Sequence, residues 1–403
     1  MTMMCGIDWA ERHHDVALMD GAGVIVARRR IADDLEGFGQ LQELLAAHAE
    51  NPIAVRIAIE TDHGLLVAAL RAAGHTVHAI NPRAVARYRE RHGQAGGKSD
   101  PGDAVVLANI LRTDGHLHRP LPEDTELAKR VRVLARQHQE AIWARQQVVN
   151  RLRTLLHQFF PAALRAFPDL THKAALTVLA AAPTPTQAAT LSRRRMVGLL
   201  RCSGRGNRPG LADTLLATFQ APTLHHSGGV ETAMGTAAAG LVDIIVAMQR
   251  AIARLETELH AALSAHLQHD VLASMPGLGP TLGGRVLGEL GDDAARFATA
   301  AGLRAFAGTA PITRTSGRYR AVTARHVRNR RLADACHWWA FAALTKSSGA
   351  RAHYDRRRAA GDTHNAALRN LANKLLGRLW WCLRHQQRYD EAVAWPDVTP
   401  AAA

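Results

Sequence analysis

Cys5-Gly6-Ile7-Asp8, Asp15-Val16-Ala17-Leu18-Met19 and, after a Gly21-Ala22-Gly23 turn, Val24-Ile25-Val26 follow one another at the start of the chain with strand-like apolar patterning. The pattern predicts a three-stranded meander whose last strand runs into Arg28-Arg29-Arg30. Asp33-Asp34 then offers a helix cap, and Leu35, Phe38, Leu41, Leu44 and Leu45 recur at helical spacing. A strand over Ile53 to Glu60, a helix over Leu65 to Ala73, a short strand over Thr76 to Ile80 and a turn at Asn81-Pro82 complete the reading. The order βββαβαβα is α/β, with acidic residues at strand ends.

Working outward, a glycine-rich loop from Gly93 to Gly97 opens onto Lys98-Ser99-Asp100-Pro101-Gly102-Asp103 and an apolar helix through Val106, Leu107 and Ile110. Asp100 is read as the cap and Pro101 as the first helical residue, which sets Asp103 one turn in on the same side. Further on, Leu127, Val131, Leu134, Ala141, Val148, Leu152, Leu155 and Phe159 step by fours and threes, interrupted by His138 and Arg145. A second seam, Ile245, Met248, Ile252, Leu255, Leu259 and Ala262, could pair antiparallel with the first or with another subunit. The expected organisation is an α/β domain over 1–118, a coiled-coil helix over 119–160 and a helical insertion over 161–235. A second long helix over 236–268, a mostly helical domain over 269–392 and a flexible tail over 393–403 complete it.

The chain has 403 residues, with 50 Lys and Arg against 35 Asp and Glu, a formal charge of +15. Such a surplus suits a polyanionic partner, and without an apolar run of membrane-spanning length that partner is expected to be DNA or RNA. Cys5, Cys202, Cys336 and Cys382 stand apart with no C-x-x-C pair, so the expected compartment is reducing and cytoplasmic. Early charges from Asp8 to His14 exclude a secretory apolar region.

Asp8, Glu60, Asp100 and Asp103 are candidate metal ligands. Adjacent strands that bring such carboxylates together place like charges side by side, and Mg²⁺ is the natural counter-charge for phosphoryl transfer. Taken singly, each acid reads as a turn residue or a cap. Gly97-Lys98-Ser99 resembles the end of a phosphate-binding loop, but His92 stands where that loop needs glycine. The adjacent pairs His13-His14 and His225-His226 cannot share a face, so neither is counted as a metal site. Pro276-Gly277-Leu278-Gly279-Pro280 resembles a helix-hairpin-helix turn, in which Gly277 and Gly279 would let backbone amides approach a phosphate. Ser316 lies in an acid-free arginine run, flanked by Arg314, Gly317, Arg318 and Arg320, with Arg325, Arg328, Arg330 and Arg331 beyond. A lone surface serine in a solvated basic patch is the plain alternative.

Gly6-Ile7-Asp8, Ile57-Ala58-Ile59-Glu60, Lys98-Ser99-Asp100-Pro101-Gly102-Asp103, Ala182-Pro183-Thr184-Pro185, Pro276-Gly277-Leu278-Gly279, Phe306-Ala307-Gly308, Ser316-Gly317 and Asn329-Arg330-Arg331-Leu332 together resemble the DEDD-type bacterial insertion-sequence transposases of the IS one-ten group. One departure is Arg328, where that family commonly has Gly. The resemblance implies a RuvC-like, ribonuclease-H-type domain joined through a coiled coil to a transposase domain. It implies Mg²⁺ held by Asp8, Glu60, Asp100 and Asp103, and Ser316 as nucleophile forming a phosphoserine link to DNA. It further implies tetramers and a noncoding guide RNA that pairs with donor and target DNA. Lys98 and the arginines are expected to contact phosphate, the two seams to give dimers that pair into tetramers on DNA, and the protein to associate with the nucleoid. The competing readings are a RuvC-like nuclease that activates water and a non-enzymatic basic nucleic-acid binder.

Overall fold

In the computed structural model, which describes residues 2–92, 100–204, 210–317 and 319–396, the alternation of β1 (Met3–Trp9) sorts its side chains onto two faces. Cys5 and Ile7 join one core, and Met4 joins another. Around β1 lie β2 (His13–Asp20), β3 (Ile25–Ala32), β4 (Arg56–Ile59) and β5 (Val77–Ala79), in the order β3-β2-β1-β4-β5. β1, β2 and β3 form the antiparallel meander, while β4 and β5 run parallel to β1. Helices α1 (Leu35–His48) and α2 (Leu65–Ala72) cover the Cys5 and Ile7 face through Leu41, Leu45, Val67 and Leu70. α3 (Pro82–His92) and α4 (Asp100–Asp114) cover the other through Val85, Leu107, Ala108 and Leu111.

Gly6 lets α4 lie against the sheet. A Cβ there would stand 1.9 Å from the Ala104 carbonyl oxygen and 2.5 Å from the Ala108 nitrogen, so any side chain would lift the helix. Three local expectations are corrected. The stretch from Ile53 begins as a 3-10 turn over Pro52–Ala54, since Pro52 lacks a ladder donor, and the strand starts only at Arg56. Asn81-Pro82 opens α3 instead of a turn; the Asn81 side chain accepts from the Arg83 amide and Pro82 takes the first helical position. Asp100 lies inside the first turn of α4 and not at its cap.

The chain divides into two units, residues 1–123 and 124–403. The second is built on α5 (Glu126–Phe159), followed by five short helices, α6 (Pro161–Ala166), α7 (Lys173–Ala181), α8 (Pro185–Ala189), α9 (Arg193–Cys202) and α10 (Leu211–Gln220). Next comes α11 (Gly228–Ser264), which packs along α5 in the opposite direction. Val131 and Ala135 meet Leu259, Ala262 and Leu263 at one end, and Val149, Leu152 and Leu156 share a core with Ala238, Val242 and Ile245 at the other. The two seams therefore cover each other within one chain. α11 passes the length and hydropathy test for a membrane span, with a mean hydropathy of 1.5 over its most apolar window, which corrects the expectation that no segment would.

The rest of the unit comprises α12 (His269–Ser274), α13 (Pro280–Leu290) and α14 (Ala300–Phe306), then a hairpin of β6 (Ile312–Ser316) and β7 (Tyr319–Thr323). α15 (Arg330–Ala343), α16 (Ser348–Ala359), α17 (His364–His385) and α18 (Glu391–Ala394) close it. The expected tail starts later than residue 393, because Trp395 is 6% exposed and packs on Gly349 and Arg378.

Candidate active site

Strand alternation decides which carboxylates meet. Met4 and Gly6 face α4, so Asp8, two residues on, faces the same way from the end of β1. Asp15 is its cross-strand partner on β2. The parallel register pairs Ile7 with Ile59, and the next step brings Glu60 level with Asp8. From the other side, α4 contributes Asp103, which is buried, and Asp100, which is exposed.

The group is electrostatically one object. Burial, then the charges of Asp103, Glu60, Asp100 and Asp15 in that order, push the Asp8 carboxyl up from its ordinary 3.8 to about 6. Two guanidinium groups offset part of the charge. Arg30 grips Asp15 with both prongs, at 2.8 and 3.2 Å, and Arg89 of α3 pairs with Asp103. Five carboxylates gathered in this way form an oxygen-rich group suited to a hard divalent cation.

Two participants were missed in the sequence. Asp15 enters only through the β1–β2 register, and His13 enters because it lies two residues before Asp15 on the same face. Donor atoms of His13, Asp15 and Asp100 lie within 4.8 Å of one another, a grouping that could hold a metal ion. His13 thus joins the acids without its neighbour His14, which is buried and bonds to Asp33 at 3.1 Å.

Ser316 belongs to the second unit, at the end of β6, exposed. The hairpin turns at Gly317 with φ +55°, a left-handed conformation that glycine adopts freely. Cross-strand pairing sets Ser316 opposite Tyr319 and Arg314 opposite Ala321, so Arg314 and Tyr319 share the serine's face. Arg320 pairs with Thr315 and projects from the opposite face, and Arg318 lies outside the described residues, as does Lys98. Tyr319, 69% exposed, is a further residue beside the serine that the arginine pattern obscured.

The remaining basic residues divide by environment. Arg330 is exposed and Arg325 half-buried. Arg328 packs on Gly308 and donates to the Arg325 carbonyl at 3.0 Å, while Arg331 is ion-paired to Glu140 of α5. Asn329 caps α15 through the Leu332 amide and donates to Glu289, which Arg136 also holds at 2.8 Å. Burial opposes Glu289 ionisation, but the hydrogen bond and charge of Arg136, with Asn329, prevail and hold its carboxyl below the usual range. Gly277, at φ +75°, lies where a Cβ would meet the Ala343 backbone nitrogen at 2.5 Å, so close helix packing accounts for that glycine. Gly279 has open space around it and caps α13.

With this geometry established, comparison with known proteins adds lineage. A DEDD-type transposase model of the IS110 group, described as "Transposase", matches residues 5–161, and one described as "Transposase IS116/IS110/IS902 family" matches residues 269–364. The chain is 49% identical over 409 residues to the "Mini-circle putative transposase for IS117" of Streptomyces coelicolor, covering 100% of this chain and 99% of that protein. It is 30% identical to the 42 kDa protein of insertion element IS900 from Mycobacterium paratuberculosis, over 99% of this chain and 98% of the relative. A 43.6 kDa protein of insertion element IS110 from Streptomyces coelicolor is 32% identical over 73% of each chain.

Proposed function

This chain belongs to the IS116/IS110/IS902 transposase family, which cuts and rejoins DNA, and from that premise we propose that it works as an RNA-guided serine recombinase with a RuvC-like acidic domain. The observation that carries the reading is the convergence of Asp8, Glu60, Asp100 and Asp103, with Asp15, on one side of one sheet. Asp8, Glu60, Asp100 and Asp103 would hold Mg²⁺, and their oxygen donors and surplus negative charge fit it. The bound ion would neutralise charge developing on the phosphate oxygens.

Each residue then has a defined task. Ser316 Oγ attacks the scissile phosphorus; the Oγ–P bond forms, one strand P–O bond breaks, and the released sugar oxygen takes a proton. Arg314, on the same face, is placed to hold a non-bridging phosphate oxygen. Exposure of the hairpin leaves the serine open to a large substrate. By the family resemblance, the active complex is proposed to join the acids of one subunit to the serine of another, as dimers paired into tetramers on donor and target DNA with a noncoding RNA. The proposed location is the bacterial cytoplasm, at the nucleoid.

Incubation of wild type, Ser316→Ala and the Asp100→Ala, Asp103→Ala pair with labelled DNA, flanking element RNA and Mg²⁺ tests this on denaturing gels. A protease-sensitive protein–DNA band is expected for wild type alone. A band from Ser316→Ala would mean another nucleophile. Cut DNA without any such band, from wild type and Ser316→Ala alike, would favour the water-activating nuclease.

A further inference from the structure

Far along the second unit from its hairpin in sequence, α16, α17 and the turn after α18 enclose a cavity of about 340 Å³. Its lining includes His353, Arg356, Arg357, Lys374, Arg378 and Trp395, with no carboxylate among the described residues. Arg357 donates to Asp362 at 2.6 Å, and the Arg378 guanidinium stacks on the Trp395 ring, 3.6 Å from its centroid. Arg378 Nη2 reaches the Ala394 carbonyl, but its Nη1 is buried with no hydrogen-bond partner among the described residues. Arg356 and Lys374 are exposed and form no ion pair among the described residues. Four permanent positive charges thus converge on one hollow with one acid-bound member.

We propose that this cavity is a binding site for a backbone phosphate of a nucleic-acid strand. The recognising chemistry is a tetrahedral oxyanion with several acceptors facing a fork of guanidinium donors and one ammonium group. The positive potential is visible in His353, which burial and then Arg356, Lys374 and Arg378 hold below the usual histidine range, after a partly opposing hydrogen bond with Asn370. The volume, within the range of small-ligand sites, accommodates a phosphate with its waters. A sugar–phosphate backbone fits better than a buried metabolite, because the exposed Arg356 and Lys374 open the site to solvent. Choosing a strand as the source of phosphate rests on the nucleic-acid role proposed above.

The test compares full-length wild type with an Arg356→Gln, Lys374→Gln double variant and an Arg356→Lys, Lys374→Arg control. Each is titrated with fluorescent single-stranded DNA and RNA of one sequence over a salt series. The double variant is expected to keep the wild-type melting temperature, to bind at least one strand type about tenfold more weakly, and to lose about one to two from its log–log salt slope. The charge-conserving control should bind as wild type. Loss with DNA, RNA or both identifies which backbone docks. Affinities and slopes equal to wild type for both strands overturn the proposal, as does a melting-temperature rise with inorganic phosphate, absent in the double variant, without any change in strand affinity. A wild type that forms no covalent DNA adduct would defeat the catalytic reading and leave this binding comparison intact.

Discussion

At the scale of single residues, Gly6 and Asp8 sit two positions apart and set opposite demands. Gly6→Ala would drive a methyl into the Ala104 carbonyl, and backbone cannot swing aside as a side chain can. The expected cost is about 3 kcal/mol or more in thermal or denaturant melts, with loss of DNA cutting as α4 shifts. Asp8 destabilises the metal-free fold when ionised. Its carboxyl ionises near 6 in the fold against the ordinary 3.8, so the stability it supplies is full below about pH 4 and is lost as pH rises through 6. In chelator at pH 7.5, Asp8→Asn should therefore melt higher than wild type by about 1–2 kcal/mol, after discounting for partial exposure, and the gain should vanish near pH 4. An equal gain at both pH values would mean that repulsion is not its source. The four acids first singled out were legible as strand-end and helix-start residues. Asp15 and His13 were not, because their membership depends on which β1 residue lies opposite Asp15, and periodicity gives alternation without register.

Among elements, the hairpin and the turn before α13 show where pattern reading succeeds and fails. Ile312 to Ser316 and Tyr319 to Thr323 are strands in which nearly all positions are exposed, so no alternating apolar face marked them. Helices were more readable. The four-and-three steps of α5 and α11 located both, although α11 begins at Gly228 and not at 236, through a Gly- and Ala-rich stretch ahead of the seam. The paired glycines at 277 and 279 separate packing from phosphate contact. Gly277→Ala should cost about 2–4 kcal/mol, from the Ala343 backbone clash and the positive φ, whereas Gly279→Ala should leave the melting temperature unchanged. If Gly279→Ala still weakens DNA binding, the open amides at the start of α13 are the contact. Unchanged affinity would restrict this turn to a structural role.

For the whole molecule, the two units each have their own buried cores, so residues 1–123 and 124–403 expressed separately should each give a cooperative melt. A non-cooperative profile from either piece would show that its core needs the other. The α/β class of the first unit and the helical character of the second were both readable from the chain. The boundary was less so, because the stretch from His118 to Thr125 carries no glycine-rich linker, and Leu121 pairs with Val77 of the sheet. The antiparallel helix pair has a mechanical consequence. One core grips its first end through Val131 and Leu259, another its far end through Leu152 and Val242, and α5 spans 34 residues, about 50 Å at helical rise. The pair is a ruler. Adding seven matched residues to both helices between the cores would move the far helical bundle outward by about 10 Å while turning it by only about 20°, so whatever that bundle touches would be met one third of a DNA turn farther away.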